Sequence, residues 1–258
     1  MNTPARWILL RGLTRDARHW GDFPARLGAA LAPAEVHTPD LPGNGRLHLS
    51  ASPLDVTAMA EDCRAQLRAA GVAPPYRLFA LSLGAMAAVA WATRHPEEIE
   101  ACVLVNTSLR PFARLHERLR PACYPRLLRL AVLGATPARW EEAVFSITSR
   151  SPRDAGLLAD WTRWRLERPV SRANALRQLI AAARFRAPRA APSLPMLVLS
   201  SARDGLVDPV CSARLAQAWG LPHVQHPTAG HDLPLDDPAW VIERLQAWMA
   251  QCAPLMRA

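Results

Sequence analysis

Tyr76-Arg77-Leu78-Phe79-Ala80-Leu81-Ser82-Leu83-Gly84-Ala85-Met86-Ala87-Ala88 is the stretch on which the reading of the whole chain turns. Leu78 to Leu81 is an apolar run as long as one buried strand. From Ala85 to Trp91 the chain changes to small residues and good helix formers. One polar residue, Ser82, separates the two. A strand that becomes a helix across a single serine needs a tight turn, with small residues two places either side. Ala80 and Gly84 occupy those places. Such a turn lifts the hydroxyl clear of the sheet and sets the N–H of Leu83 at a helix N-terminus, where a developing oxyanion is stabilised.

The 258 residues are 50% apolar, which suits one α/β domain with a sizeable core. No run approaches the roughly 18 apolar residues of a membrane helix. Met1 to Arg6 lacks the basic start and apolar stretch of a secretion signal. The expectation is a soluble cytoplasmic protein with no membrane partner. Cys63, Cys102, Cys123, Cys211 and Cys252 are scattered without metal-type spacing, so neither a zinc site nor a disulfide framework is expected.

The net charge is +9, and all 31 basic residues are arginine. Its distribution says more than its total. Residues 107–190 hold 17 Arg against 6 Asp plus Glu, whereas the rest of the chain holds 14 against 16. No recognised nucleic-acid motif or aromatic platform pattern appears in the basic segment, so a nucleic-acid partner is not expected.

Working outward, Trp7-Ile8-Leu9-Leu10 reads as a buried strand that ends in the turn Arg11-Gly12-Leu13. Trp20 lies just beyond, placed either to line a pocket or to pack the helix beginning near Phe23 against the sheet. Glu35-Val36-His37 leads into the rigid turn Asp40-Leu41-Pro42-Gly43-Asn44-Gly45, where Asp40 reads as structural. A one-faced helix is expected over Leu54–Ala70 and a buried parallel strand over Ala101–Val105. From Thr107 to about Pro192 no strand is convincing, and prolines break a series of helical stretches. Strands return at Pro195–Ser200 and Val224–His226, followed by loops carrying Asp204 and His231. A helix over Pro238–Met249 closes the chain.

Ala80-Leu81-Ser82-Leu83-Gly84 resembles the nucleophile elbow of the α/β-hydrolase superfamily, with Ala80 in place of the usual first glycine. Arg11-Gly12-Leu13 is similar to that family's oxyanion turn, with Arg11 where histidine is common. Thr38-Pro39-Asp40-Leu41-Pro42-Gly43-Asn44-Gly45 and Ala229-Gly230-His231-Asp232 also resemble family segments. The resemblance implies a mostly parallel central sheet flanked by helices, with a core over 1–106 and 191–258 and an inserted all-helical cap over 107–190. It implies Ser82 as nucleophile, His231 as base, Asp204 as the acid that orients it, and the N–H groups of Leu13 and Leu83 as oxyanion donors. Gly12 and Trp20 then border the substrate pocket. Acyl transfer from an ester to water is expected, without metal or cofactor.

Among capped esterases, the spacing and Leu83 look similar to the carboxylesterase of biotin synthesis, which acts on an ester carried by an acidic protein. The basic segment then fits either an acidic acyl carrier or solvated helix faces. Thioester cleavage, and a lyase or ligand-binding member of the same fold, are the alternatives.

Overall fold

The computed structural model describes residues 4–252, the side chains of 131–133 excepted. Six strands, β1 (Ala5–Leu10), β2 (Ala34–His37), β3 (Tyr76–Leu81), β4 (Ile99–Val105), β5 (Met196–Ser201) and β6 (His223–His226), form one sheet. Its order is β2-β1-β3-β4-β5-β6, and every pairing is parallel. In a parallel sheet every strand points its carboxyl end the same way, so the loops after β1, β3, β5 and β6 share one edge. That edge carries Gly12, Ser82, Asp204 and His231.

The inner strands β1, β3, β4 and β5 carry apolar runs because both faces of the sheet are covered there, whereas the edge strands β2 and β6 are more polar and only partly buried. On one face, α2 (Val56–Ala69) and α3 (Leu83–Arg94) pack Met59, Cys63, Met86 and Trp91 against Ile8, Leu78 and Leu104. On the other, α1 (Phe23–Ala30) and the last helix (Pro238–Cys252) bring Phe23, Leu27, Val241 and Leu245 against Trp7, Phe79 and Val103. Among the described residues all five cysteines are free and buried.

Gly84 explains how α3 lies so close to β1. A Cβ there would stand 2.3 Å from the carbonyl oxygen of Leu10 and 2.7 Å from that of Arg11. Both obstacles are backbone and cannot rotate away. Gly84→Ala is therefore expected to destabilise the fold by about 1–3 kcal/mol, the range for overpacking. A urea midpoint equal to that of the wild type would contradict the close approach.

Between β4 and β5 the chain is helical: α4 (Leu115–Arg118), α5 (Tyr124–Leu133), α6 (Pro137–Thr148), α7 (Ala155–Glu167) and α8 (Arg172–Arg184). The one β feature in this span is an isolated bridge, Arg110 with Arg186. Capping side chains set the helix starts: Thr136 accepts from the N–H of Arg139, Asp154 from Gly156 and Leu157, and Ser171 from Asn174. Among the described residues, no helix is long and apolar enough to cross a membrane.

Candidate active site

Ser82 sits between β3 and α3 with φ 58° and ψ −117°, a left-handed conformation that costs a non-glycine residue about 1–3 kcal/mol. The surroundings hold it there. Its N–H donates to the carbonyl of Val105 at 2.9 Å. Gly12 lies directly against it, since a Cβ on Gly12 would stand 3.1 Å from Ser82 Cβ and 3.5 Å from Ser82 Oγ. The turn after β1 thus meets the serine through the one residue with no side chain to intervene. Among the described residues the N–H groups of Leu13 and Leu83 have no hydrogen-bond partner.

The second cluster is buried. Asp204 Oδ1 accepts from the N–H groups of Leu206 and Val207 at 2.8 and 2.9 Å. Its Oδ2 lies 2.7 Å from His231 Nδ1. An ionised carboxylate can only accept, so the imidazole proton belongs on Nδ1 and Nε2 keeps its lone pair. The acid therefore fixes both the tautomer and the ring orientation.

Asn106, which follows β4, connects the serine turn to this cluster. Its Nδ2 donates to the carbonyl of His231 at 2.8 Å and to Ser201 Oγ at 3.0 Å, and its Oδ1 accepts from the N–H of Ser201. The neighbouring Val105 carbonyl is the one that holds Ser82. Adjacent residues of one segment thus anchor the serine turn and the histidine loop. No hydrogen bond joins Ser82 Oγ to His231 among the described residues, and such bonds commonly tighten only when substrate is bound.

Other polar candidates are already engaged. Asp40 accepts from the N–H groups of Ala17 and Arg46, which ties two turns together. Asp208 accepts from the N–H of Val210 at the start of the helix Val210–Trp219. His226 Nδ1 accepts from Thr228 and Ala229, and His223 bonds Ser200. Trp20 packs between Phe23 and Phe79, with ring centroids 5.9 Å from each. Of its two expected placements, the indole takes the core position, under the sheet-covering helix.

Sequence reasoning missed two features. Arg11 forms a bidentate pair with Asp232, described below. The other is a buried cluster joining the loop after β1 to the helical segment. Arg15 donates to Glu141 on α6 at 2.5 Å and lies over the ring of Trp161 on α7 at 4.3 Å. His19 packs against Trp161 and Trp164, and Arg18 reaches Glu167. Burial opposes ionisation of Glu141, but Arg15 and Arg165 outweigh it and keep the carboxyl below its usual range. The aromatic spacing on α7 was the available signal; its partners lie too far away in sequence to be paired from it.

His19 gives the cluster a pH dependence. Burial, helped by Arg15, lowers its pKa from 6.5 to about 4. Between those values the unfolded chain binds a proton that the folded chain refuses, so stability falls as pH drops from about 6.5 to about 4. The neighbouring Asp16 carboxylate is held below its usual range by His19 and Arg18 against the opposing effect of burial, so it titrates at lower pH. The urea midpoint of the wild type is expected to fall more steeply between pH 7 and 4.5 than that of His19→Gln. Parallel curves would contradict the assignment.

A parallel sheet with a strained serine turn, a glycine-cleared turn beside it and a buried acid–imidazole pair defines the class to which the sequence comparisons also lead. Residues 7–244 match the model of the alpha/beta hydrolase family, and the chain belongs to that family. The Klebsiella pneumoniae (strain 342) protein named "Putative carbamate hydrolase RutD" is 30% identical over 250 residues, covering 88% of this chain and 87% of that one. A pimeloyl-[acyl-carrier protein] methyl ester esterase of Chromobacterium violaceum is 40% identical over 93 residues, 36% of this chain and 34% of that one. In fold, the chain is similar to a thermophilic esterase from Thermogutta terrifontis, with TM-score 0.75 and 21% identity over 97% of this chain and 91% of that one. It is likewise similar to the enol-lactonase from Burkholderia xenovorans LB400, with TM-score 0.77 and 19% identity over 96% and 92%.

Proposed function

We propose that the protein is a serine hydrolase of carboxylic esters that works through Ser82, His231 and Asp204. The observation that carries the reading is the 2.7 Å bond from His231 Nδ1 to Asp204, which leaves Nε2 as a base, on loops that share a sheet edge with Ser82. In this reading Nε2 takes the Ser82 proton as Oγ attacks the ester carbonyl. The N–H groups of Leu13 and Leu83 receive the oxyanion. His231 then protonates the leaving alcohol, and water, activated by the same imidazole, releases the acyl group from Ser82. Asp204 stabilises the transient imidazolium.

Residues 107–190 form the cap over this site. Ile147 and Thr148 back onto the two catalytic loops: a Cβ on Gly205 would stand 2.5 Å from the Ile147 carbonyl, and one on Gly230 2.7 Å from that of Thr148. Within the cap, Glu117, Glu141, Glu142, Asp160 and Glu167 are ion-paired, and Asp154 caps α7. Its acids are thus committed, and the remaining arginine excess supports an anionic substrate or an acidic acyl carrier. If that surface steers a carrier, raising salt from 50 to 500 mM lowers kcat/KM for a carrier-bound ester at least about tenfold and leaves p-nitrophenyl acetate nearly unaffected. Equal salt effects on the two would remove the carrier.

A panel of p-nitrophenyl esters from C2 to C12, run beside thioesters and carbamates, tests the reading. The near full-length likeness to a protein named for carbamate hydrolysis supports carbamates as the second substrate class. Ester turnover that survives Ser82→Ala would overturn the proposal. Aldehyde or ketone release from a cyanohydrin without ester cleavage would replace it with a lyase.

A further inference from the structure

Arg11 and Asp232 each sit beside a residue of the proposed machinery. Arg11 precedes Gly12 and Leu13, and Asp232 follows His231. Their side chains meet head-on: Nη1 donates to Oδ1 at 3.0 Å and Nη2 to Oδ2 at 2.7 Å. Both side chains are only 4% exposed. Three strands, β3, β4 and β5, separate β1 from β6 in the sheet, at about 4.8 Å per step. The two loops therefore bend toward each other across the end of β3, where Ser82 lies. Among the described residues, this fork is the one side-chain hydrogen-bonded link between them.

The pair is itself well braced. Arg11 lies over the face of Trp20, 4.6 Å from its centroid, and the N–H of Asp232 donates to the Thr148 carbonyl at 2.7 Å. Burial works against the Asp232 charge, but Arg11 overrides it and holds the carboxyl below its usual range, with Arg15 and His231 adding to the effect. Stability is a poor reason for such a pair, because apolar residues of similar volume commonly do as well or better. A bidentate fork instead supplies one fixed relative orientation.

We propose that Arg11 and Asp232 are positioning residues: their fork holds the Gly12-Leu13 turn in register with the His231 loop, so that the oxyanion N–H and the imidazole meet the same substrate carbonyl. Their paired charges also cancel at the imidazole. This rests on the ester-hydrolase reading and adds to it the device that aligns its two halves.

Three variants separate alignment from charge. Asp232→Asn leaves Arg11 uncompensated near His231, Arg11→Gln leaves Asp232 uncompensated, and Arg11→Lys keeps the charge but loses the planar fork. NMR titration of the His231 imidazole, assigned with His231→Gln, needs no activity. Its midpoint is expected about half a pH unit or more lower in Asp232→Asn, as much higher in Arg11→Gln, and near that of the wild type in Arg11→Lys. With p-nitrophenyl butyrate, kcat falls about 10- to 100-fold in all three while KM stays within about threefold, the signature of misplaced groups rather than lost binding. Arg11→Lys, the conservative change, carries the test if the other two do not fold. Midpoints of Asp232→Asn and Arg11→Gln that move in the same direction or stay put, or a kcat within twofold of the wild type in Arg11→Lys, would overturn the proposal. Turnover that survives Ser82→Ala would instead sink the esterase reading, and the titration would still judge the pair.

Discussion

Ser82→Ala is expected to lower kcat for p-nitrophenyl butyrate by roughly 10⁵- to 10⁶-fold, with KM changed little. On the proposed mechanism, the methyl group removes the nucleophile but leaves the N–H groups of Leu13 and Leu83 in place. The residual rate should therefore remain above that of the uncatalysed reaction, because those donors still stabilise attack by water. The fold should tolerate the change, since the half-buried hydroxyl is not a hydrogen-bond donor to any described residue. A stability loss larger than about 1 kcal/mol would point instead to a structural role for the serine.

Asp204→Asn carries the second-largest expected effect, about 10³- to 10⁴-fold in kcat. The two N–H groups of Leu206 and Val207 keep an oxygen at the Oδ1 position, so the amide nitrogen must take the place of Oδ2. That nitrogen donates. Facing it, His231 Nδ1 must become the acceptor, and the ring proton moves to Nε2, where it blocks the base. The geometry survives and the chemistry does not. Circular dichroism and the urea midpoint should change far less than kcat. Parallel losses in both would mean that the carboxylate mainly holds the loop together.

The four inner strands, β1, β3, β4 and β5, were legible because each carries a short apolar run bounded by turn residues, whereas the edge strands β2 (AEVH) and β6 (HVQH) are mostly polar and only partly buried and give a weaker signal. The loops bearing Gly12, Ser82 and Asp204 were legible for the same reason, since each follows an apolar run that ends visibly, while the His231 loop was legible through the resemblance of Ala229-Gly230-His231-Asp232. What stands between those loops was not. Arg11 read as a departure from histidine, yet its meaning is a carboxylate 221 residues away. Asn106, held at φ 46°, gave no periodic or compositional signal, although it ties the histidine loop to β5. Trp20 fitted both a pocket wall and, as the favoured reading, a core filler, and its packing against Phe23 and Phe79 decides for the core. The arginine-rich segment gave a net charge, but not which acids are spent within it. Arg15–Glu141 and Arg18–Glu167 cross from the core, so the partners sit outside the segment being counted.

Covalent trapping tests the central claim most directly. The wild type, Ser82→Ala and His231→Gln would be treated with a p-nitrophenyl alkylphosphonate and mapped by peptide mass spectrometry. The expected result is one adduct, on Ser82, forming at least about 10³-fold more slowly in His231→Gln and not at all in Ser82→Ala. An adduct on another residue, or labelling of Ser82 at the same rate with and without His231, would contradict the account.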